Sequence, residues 1–562
     1  MSGFHFTTAL KNLLGDLPYA PELYWSLRQR GRPVTAKFDL SRLAAALPSW
    51  RAQALAARQS YTPPLATPHS PLPTPHSQPG LKHILLFATQ RYWLEHITLL
   101  ALTLAGQGHQ VTLAYLPYAE WAKPLNPFDA RRQSAYLQSV LQQAGDLLTV
   151  LPLLTAPQSA LPPALQTAIE GVALRDTQYT LQVEEVSLQS ELYQLRLARD
   201  TQAAGALLHW LTARAALPQL AIIPNGTILE FGAVYQTARF CGLPVVTYEF
   251  GEQRQRLWLA QNAEVMRQDT TSLWLERRDQ ALDPEQTAQI RQLFAARQRA
   301  SLWENFARRW QGVPSEGGQK VRAALRLDAR PLVLLATNVI GDSLTLGRQV
   351  FSDSMTEWLQ RTVLYFARRP DVQLVVRIHP GELVTKGPSV ADVVRRALPE
   401  VPEHIHLILP DAPINTYDLV EIADLGLVYT TTVGMEMAMS GVPVIVVGAT
   451  HYRAKGFTLD PADWQDYFNL LEQALSDPAA YRPTPAQVDC AWNYAYRFFF
   501  EYPHPYPWHL LHFWQDVEEW PLNRLFSPEG LAQFGPTLQL LSGEPPLSTS
   551  HSPLPTSHGG LL

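Results

Sequence analysis

Five short runs between Pro331 and Gly448 are almost unbroken stretches of apolar residues: PLVLLATN (331–338), VQLVVRIHP (372–380), IHLILP (405–410), LGLVY (425–429) and VPVIVVG (442–448). A strand with one wet face alternates apolar and polar residues, whereas a strand covered on both faces does not. Helical segments separate the five runs, so this region is constrained to a parallel sheet layered between helices. Leu425–Gly448 shows the repeating unit in miniature. LGLVY reads as a strand, Thr430-Thr431-Thr432 as a turn whose hydroxyls can cap a helix, and Val433–Ser440 as about two helical turns. Gly441 suits the residue after the helix C-cap, and Pro443 stops continuation before the next strand.

For five such strands the doubly wound order 3-2-1-4-5 is expected. Its switch point falls between the first strand, ending at Asn338, and the fourth, ending at Tyr429, and ligands of open α/β sheets bind in that crevice. Thr430, Thr431 and Thr432 form one lip and Asn338 to Ser343 the other, while His379 ends the neighbouring second strand. A turn at a helix N-terminus outside a strand's carboxyl end favours a phosphate. Glu436 lies four residues after Thr432, one turn into the helix on the same side, where a carboxylate can accept hydrogen bonds from a ribose or simply complement the helix N-terminus. Arg377 alternates with His379 on its strand. Arg453 and Lys455, after the fifth strand, can offset phosphate charge without a metal, and no Asp-x-Asp motif asks for one.

GMEMAMSGVPVI (434–445), taken with Arg377-Ile378-His379-Pro380, resembles the nucleotide-sugar half of GT-B glycosyltransferases. It is more particularly similar to capsule polysaccharide biosynthesis glycosyltransferases and their sialyltransferase-like and Kdo-transferase-like relatives, which share an HP motif and a Ser/Thr-rich phosphate turn. The resemblance covers residues 331–456 well and the rest loosely. It implies an α/β chain of the GT-B class, with two doubly wound Rossmann-like domains facing a cleft. It also implies His379 on the donor phosphate and Glu436 on the donor ribose. The implied partners are a nucleotide-sugar donor (CMP-, UDP- or GDP-linked) as co-substrate, with no other cofactor, and a glycan or lipid-linked acceptor. Two other readings stay open: an epimerase of the UDP-GlcNAc 2-epimerase type, and a non-catalytic glycan-assembly protein.

At 562 residues the chain is too long for one core. Residues 1–60 are expected as a helical extension. Residues 61–81 read as a Pro/Ser/Thr-rich disordered linker whose PHSPLPTPHS is echoed by STSHSPLPTSHGG in a disordered tail, 541–562. His69 and His76 raise a metal reading, which the low-complexity composition disfavours. Residues 82–314 are expected to form the first Rossmann-like domain, opening with HILLFAT, an amphipathic helix and QVTLAYLP; residues 125–215 read as helical and irregular, and 284–311 as one long helix. Residues 320–480 form the second domain. Residues 481–540 carry aromatic helices that either pack back on the domains or meet a membrane edge, with packing favoured.

The first domain is expected to carry the acceptor and the general base. Glu249 and Glu252, in TYEFGE, lie at a strand end, where burial can raise a carboxylate's pKa for proton abstraction. The resemblance implies an acidic-acidic-Gly turn there, from which Glu249-Phe250-Gly251-Glu252 departs. Gln90, Arg91, Glu95, Asn225 and Gly226 are lesser candidates, His96 reads as structural, and Asn415 and Asp418 as helix caps.

The net charge of −5 gives no electrostatic case for nucleic acid. Cys241 and Cys490, the two cysteines, stand far apart in apolar surroundings, which argues against a disulfide framework. No apolar run approaches the ~18 residues of a membrane span, and the amino terminus lacks the pattern of a signal peptide. A cytoplasmic protein, peripheral at most to the inner face of the membrane, is therefore expected.

Overall fold

A computed structural model describes residues 11–60, 81–301 and 312–545. The expected linker with His69 and His76, the end of the long helix, and most of the expected tail lie outside the described residues. Twelve strands form two sheets among the described residues. The first comprises β1 (His83–Ala88), β2 (Gln110–Tyr115), β3 (Leu148–Pro152), β4 (Leu220–Pro224), β5 (Val245–Glu249), β6 (Arg256–Gln261) and, from far along the chain, β12 (His504–Pro505). The second comprises β7 (Leu332–Ala336), β8 (Gln373–Arg377), β9 (Ile405–Ile408), β10 (Leu425–Val428) and β11 (Val444–Val446).

The second sheet runs β11-β10-β7-β8-β9, all parallel, which is the expected 3-2-1-4-5 order. Its apolar runs are explained by two separate cores. Leu332, Leu334 and Ala336 face one, while Val333 and Leu335 face the other, so every position on the strand is covered.

The first sheet runs β12-β6-β5-β4-β1-β2-β3. It is parallel from β3 to β5, and β6 and β12 continue it antiparallel. Residues 125–215 therefore contain a strand that their helical reading left out: LTVLP is too short and too mixed to show a period.

The cores divide the chain differently from the expected limits. Trp274, Ile290, Leu293 and Phe294 pack with Tyr417, Met435 and Tyr494 of the second domain, so the span from Thr271 onward belongs there and the first domain ends well before 314. The helix Ser41–Ser60 puts Leu43, Leu47, Trp50 and Ala54 into the first core, which makes the extension part of that domain. The aromatic segment packs, as favoured above. Tyr494, Phe498 and Tyr502 fill the second domain's core; Tyr506, Trp508 and Phe513 fill the first, and the chain crosses over at β12. These rings are buried, as the packing reading expects.

The two sheets meet at their carboxyl ends. Gly341, in the left-handed region at φ 70°, lies so close to Gln182 and Val183 of the first domain that a Cβ there would stand 2.4 Å from the Val183 nitrogen. Beside it, the Glu184 carboxylate accepts the N–H groups of Met355 (2.7 Å) and Thr356 (3.0 Å), so a first-domain side chain caps the second-domain helix Met355–Phe366. Among the described residues no helix is long and apolar enough to cross a membrane.

Candidate functional site

Three strand tips of the second sheet are stitched together at the switch point. At the end of β7, Asn338 Oδ1 accepts both the backbone N–H of Thr430 (3.1 Å) and its hydroxyl (3.2 Å), joining the tip of β10. Thr337 Oγ1, one residue earlier, accepts the backbone N–H of His379 (3.1 Å), joining the tip of β8. With neighbouring strands about 5 Å apart, β8 and β10 tips are about 10 Å apart across β7. Thr337, Asn338, Thr430 and Thr431 are buried, Thr432 is half-buried, and His379 is exposed at the rim.

The threonines do not cap the following helix with their side chains. Thr430 gives its hydroxyl to Asn338, and Thr432, at the N-cap position with helical backbone, makes no side-chain capping bond to Val433–Met439. The Thr431 carbonyl is held by the Tyr452 hydroxyl, which reaches it because Gly434 has no Cβ to block that ring. His379 Nδ1 accepts the N–H of Gly381 (2.9 Å), so in the neutral ring the proton sits on Nε2, which makes that atom a donor.

Other expected site residues are committed elsewhere. Glu436 is 1% exposed, in an ion pair with Arg297 and accepting from the Tyr417 hydroxyl (2.8 Å), so its carboxylate lies beneath the surface rather than at a ribose-sized opening. Burial pushes its pKa up while Arg297 pulls it back. Arg377 is buried too, with Nη1 on the Leu409 carbonyl (2.7 Å), and burial pushes its guanidinium down to about 10. Its side chain therefore serves the β9 connection and does not share the crevice with His379. Arg453 donates to the carbonyls of Val446 and Pro461, and Lys455 lines a separate shallow pocket with Thr271, Trp274 and Cys490. Asn415 caps its helix through the Tyr417 N–H (2.8 Å) as expected, while Asp418 instead receives Ser315 and the Glu316 N–H.

Across the gap, β5 ends in Glu249. Its two oxygens accept from Asn225 Nδ2 (2.9 Å) and from the Phe250 N–H (2.9 Å). Burial nevertheless raises its pKa from the ordinary glutamate value. Asn225 is itself fixed: it sits at φ 57°, and its Oδ1 accepts the N–H and hydroxyl of Thr227. Tyr179 stands between the domains, its phenol pushed up by burial and by the carboxylates of Asp342 and Glu249. Tyr92 is pushed up to about 12 by burial, Glu249 and Tyr179, and donates to Gln90. Tyr92 and Tyr179 carry no sequence signal and were not anticipated. Glu252 lies apart from this group, within range of Arg297 and Glu436, whose titration it perturbs. Glu95 is buried against Trp514, and His96 is buried in an aromatic cluster with Tyr248 and Phe513, consistent with a structural histidine.

Two doubly wound sheets meeting at their carboxyl ends, with a C-terminal return from the second domain to the first, define a fold of the GT-B class. No family profile matches the chain, and no curated protein matches it. Solved structures that it resembles include a β-Kdo 2,4 transferase, KpsC of Thermosulfurimonas dismutans, at 18% identity over 49% of this chain and 78% of that one, with a TM-score of 0.31. Others are the UDP-GlcNAc 2-epimerase of Neisseria meningitidis bound to UDP-GlcNAc (14% identity, 75% and 100% covered, TM-score 0.25) and Anabaena HepE in complex with UDP and glucose (10%, 78% and 98%, 0.27). At such scores the functional reading rests on the site itself.

Proposed function

We propose that the chain is a glycosyltransferase that moves a sugar from a nucleotide-sugar donor to an acceptor hydroxyl. The observation that carries this reading is the stitched switch point: Thr430 on Asn338 and His379 on Thr337 hold three strand tips around one crevice, with a carboxylate of raised pKa across the gap. The donor phosphate lies against the Thr430–Thr432 turn and receives a hydrogen bond from His379 Nε2. As the bond from the anomeric carbon to the phosphate oxygen breaks, the charge left on the phosphate is stabilised by these donors. Glu249 takes the proton of the acceptor hydroxyl, whose oxygen forms the new bond to the anomeric carbon. Asn225 aims Glu249. Glu252, Arg297 and Glu436 form a structural cluster beside the site rather than a second base. A capsule-type glycan or a lipid-linked glycan is the acceptor we favour, by the resemblance of the His379-Pro380 and Thr-turn segments.

The test is thermal shift of the full chain with CMP, UDP and GDP, followed by transfer assays on His379→Ala and Glu249→Gln. Stabilisation by CMP assigns a sialic-acid-like or Kdo-like donor, and stabilisation by UDP or GDP a hexose donor. Both variants should retain the fold and lose transfer. No response to any nucleotide overturns the reading. Turnover of UDP-GlcNAc to its 2-epimer without an acceptor would replace it with the epimerase.

A further inference from the structure

Large apolar side chains cluster on the surface at one place. Of the twenty that are exposed among the described residues, six fall within the fifteen positions from Leu13 to Leu27: Leu13, Leu17, Tyr19, Leu23, Tyr24 and Leu27. Tyr19 is 80% and Leu27 73% exposed. Scattered single apolar residues are normal on a surface, but a run this dense marks an interaction site.

The segment is not a loose end that happens to be bare. Trp25 is buried beneath it, its ring tilted at 55° to that of Tyr136, and donates its indole N–H to the Arg32 carbonyl (3.1 Å). Arg131 clamps it from below, on both Glu22 oxygens (2.8 and 2.7 Å) and on the carbonyls of Gly15 (2.7 Å) and Leu17 (2.9 Å). The inner side is therefore anchored to the first domain while the outer side presents leucine and tyrosine. Leu23 and Leu27 stand one helical turn apart.

The charge beside this face is mostly positive. Arg28, Arg30 and Arg32 follow directly, all exposed, and none is in an ion pair among the described residues. From Lys11 to Arg32 four cations (Lys11, Arg28, Arg30, Arg32) oppose two anions (Asp16, Glu22), a local excess of +2 in a chain whose net charge is −5. Leucine and tyrosine for the acyl boundary beside arginines for the headgroups is the composition that binds an anionic bilayer surface.

We propose that the segment from Leu13 to Arg32 docks the first domain on an anionic lipid surface, with Leu23 and Leu27 entering the headgroup layer and Arg28, Arg30 and Arg32 contacting lipid phosphates. This stands independently of the donor site. The membrane face is then this amino-terminal hook, not the aromatic carboxyl-terminal segment.

The test is co-sedimentation of the full chain with vesicles of equal parts phosphatidylcholine and phosphatidylglycerol, against vesicles of phosphatidylcholine alone. Binding is expected only to the anionic vesicles. It should weaken on the order of 100-fold in Arg28→Ala/Arg30→Ala/Arg32→Ala. Leu23→Ser/Leu27→Ser should weaken it as well. All five positions are exposed, so both variants are expected to melt like the parent, and matching melts are checked alongside. The proposal is overturned by equal binding to neutral vesicles, by no binding to either, or by variants that bind as well as the parent. It is also overturned if the chain is a dimer that Leu23→Ser/Leu27→Ser disperses, since the face would then belong to a second copy.

Discussion

Asn338 Oδ1 takes both the N–H and the hydroxyl of Thr430, so a single amide side chain closes the gap between the first and fourth strands of the second sheet. Both residues are buried. Asn338→Ala leaves two buried donors without their acceptor, which costs about 1–3 kcal/mol and should appear as a lowered urea midpoint together with lost nucleotide binding. Asn338→Asp is the sharper variant. It keeps the acceptor and hence the latch, but places a negative charge where the donor phosphate would lie. The buried charge should lower stability as well, so binding is read by calorimetry on a sample whose melt shows that it is folded. Greatly weakened nucleotide binding is expected, and unchanged binding would remove the phosphate from this crevice.

Glu436 separates a structural from a ligand-binding carboxylate. Removing one member of a buried pair leaves the other uncompensated, so Glu436→Ala should cost about 3–5 kcal/mol through stranded Arg297. Chemical denaturation measures this. A variant of parent stability with a raised donor KM would restore the ribose role.

Glu249 predicts a pH dependence. A base works only when ionised, so kcat/KM should rise with pH through the Glu249 pKa, on a limb above the ordinary value of about 4.3 because burial raises that pKa. The Asn225 hydrogen bond favours the ionised form. Asn225→Gly, which tolerates the positive φ, removes that bond and should move the limb to higher pH. A limb that stays in place would show that Asn225 does not act through Glu249.

Acid should destabilise the fold through buried neutral imidazoles. His96 and His451 are both pushed down to about 3 by burial. Unfolding frees them to bind protons near 6.5, so the unfolded state holds more protons between about 6.5 and 3 and stability falls as pH drops through that window. Each contributes up to about 1.4 kcal/mol per pH unit there. Melts at successive pH values measure the slope, and His451→Gln should make it shallower.

Glu184 tests how the domains are held. Glu184→Ala uncovers the N–H groups of Met355 and Thr356 and should cost about 1 kcal/mol. It should also increase the radius of gyration in solution scattering as the domains part. An unchanged profile would mean that the contact at Gly341 suffices to hold them.

The sequence by itself determined the strands of the second domain and their order. Apolar runs report burial on both faces, and the connection rules leave few orders for five parallel strands. That His379 and Thr430–Thr432 stand at the strand ends on either side of β7 followed for the same reason, since a strand's end says where its next residues must stand. Short or mixed strands such as β3 and β12 gave no comparable signal. The tertiary structure alone decided which polar side chains are spent on the protein itself. Glu436 meets Arg297, Arg377 meets the Leu409 carbonyl, Glu249 meets Asn225, and Glu184 meets a helix of the other domain. Each partner lies far along the chain, and a polar group's availability depends on what folding brings within hydrogen-bond distance of it, which no local pattern of residues encodes.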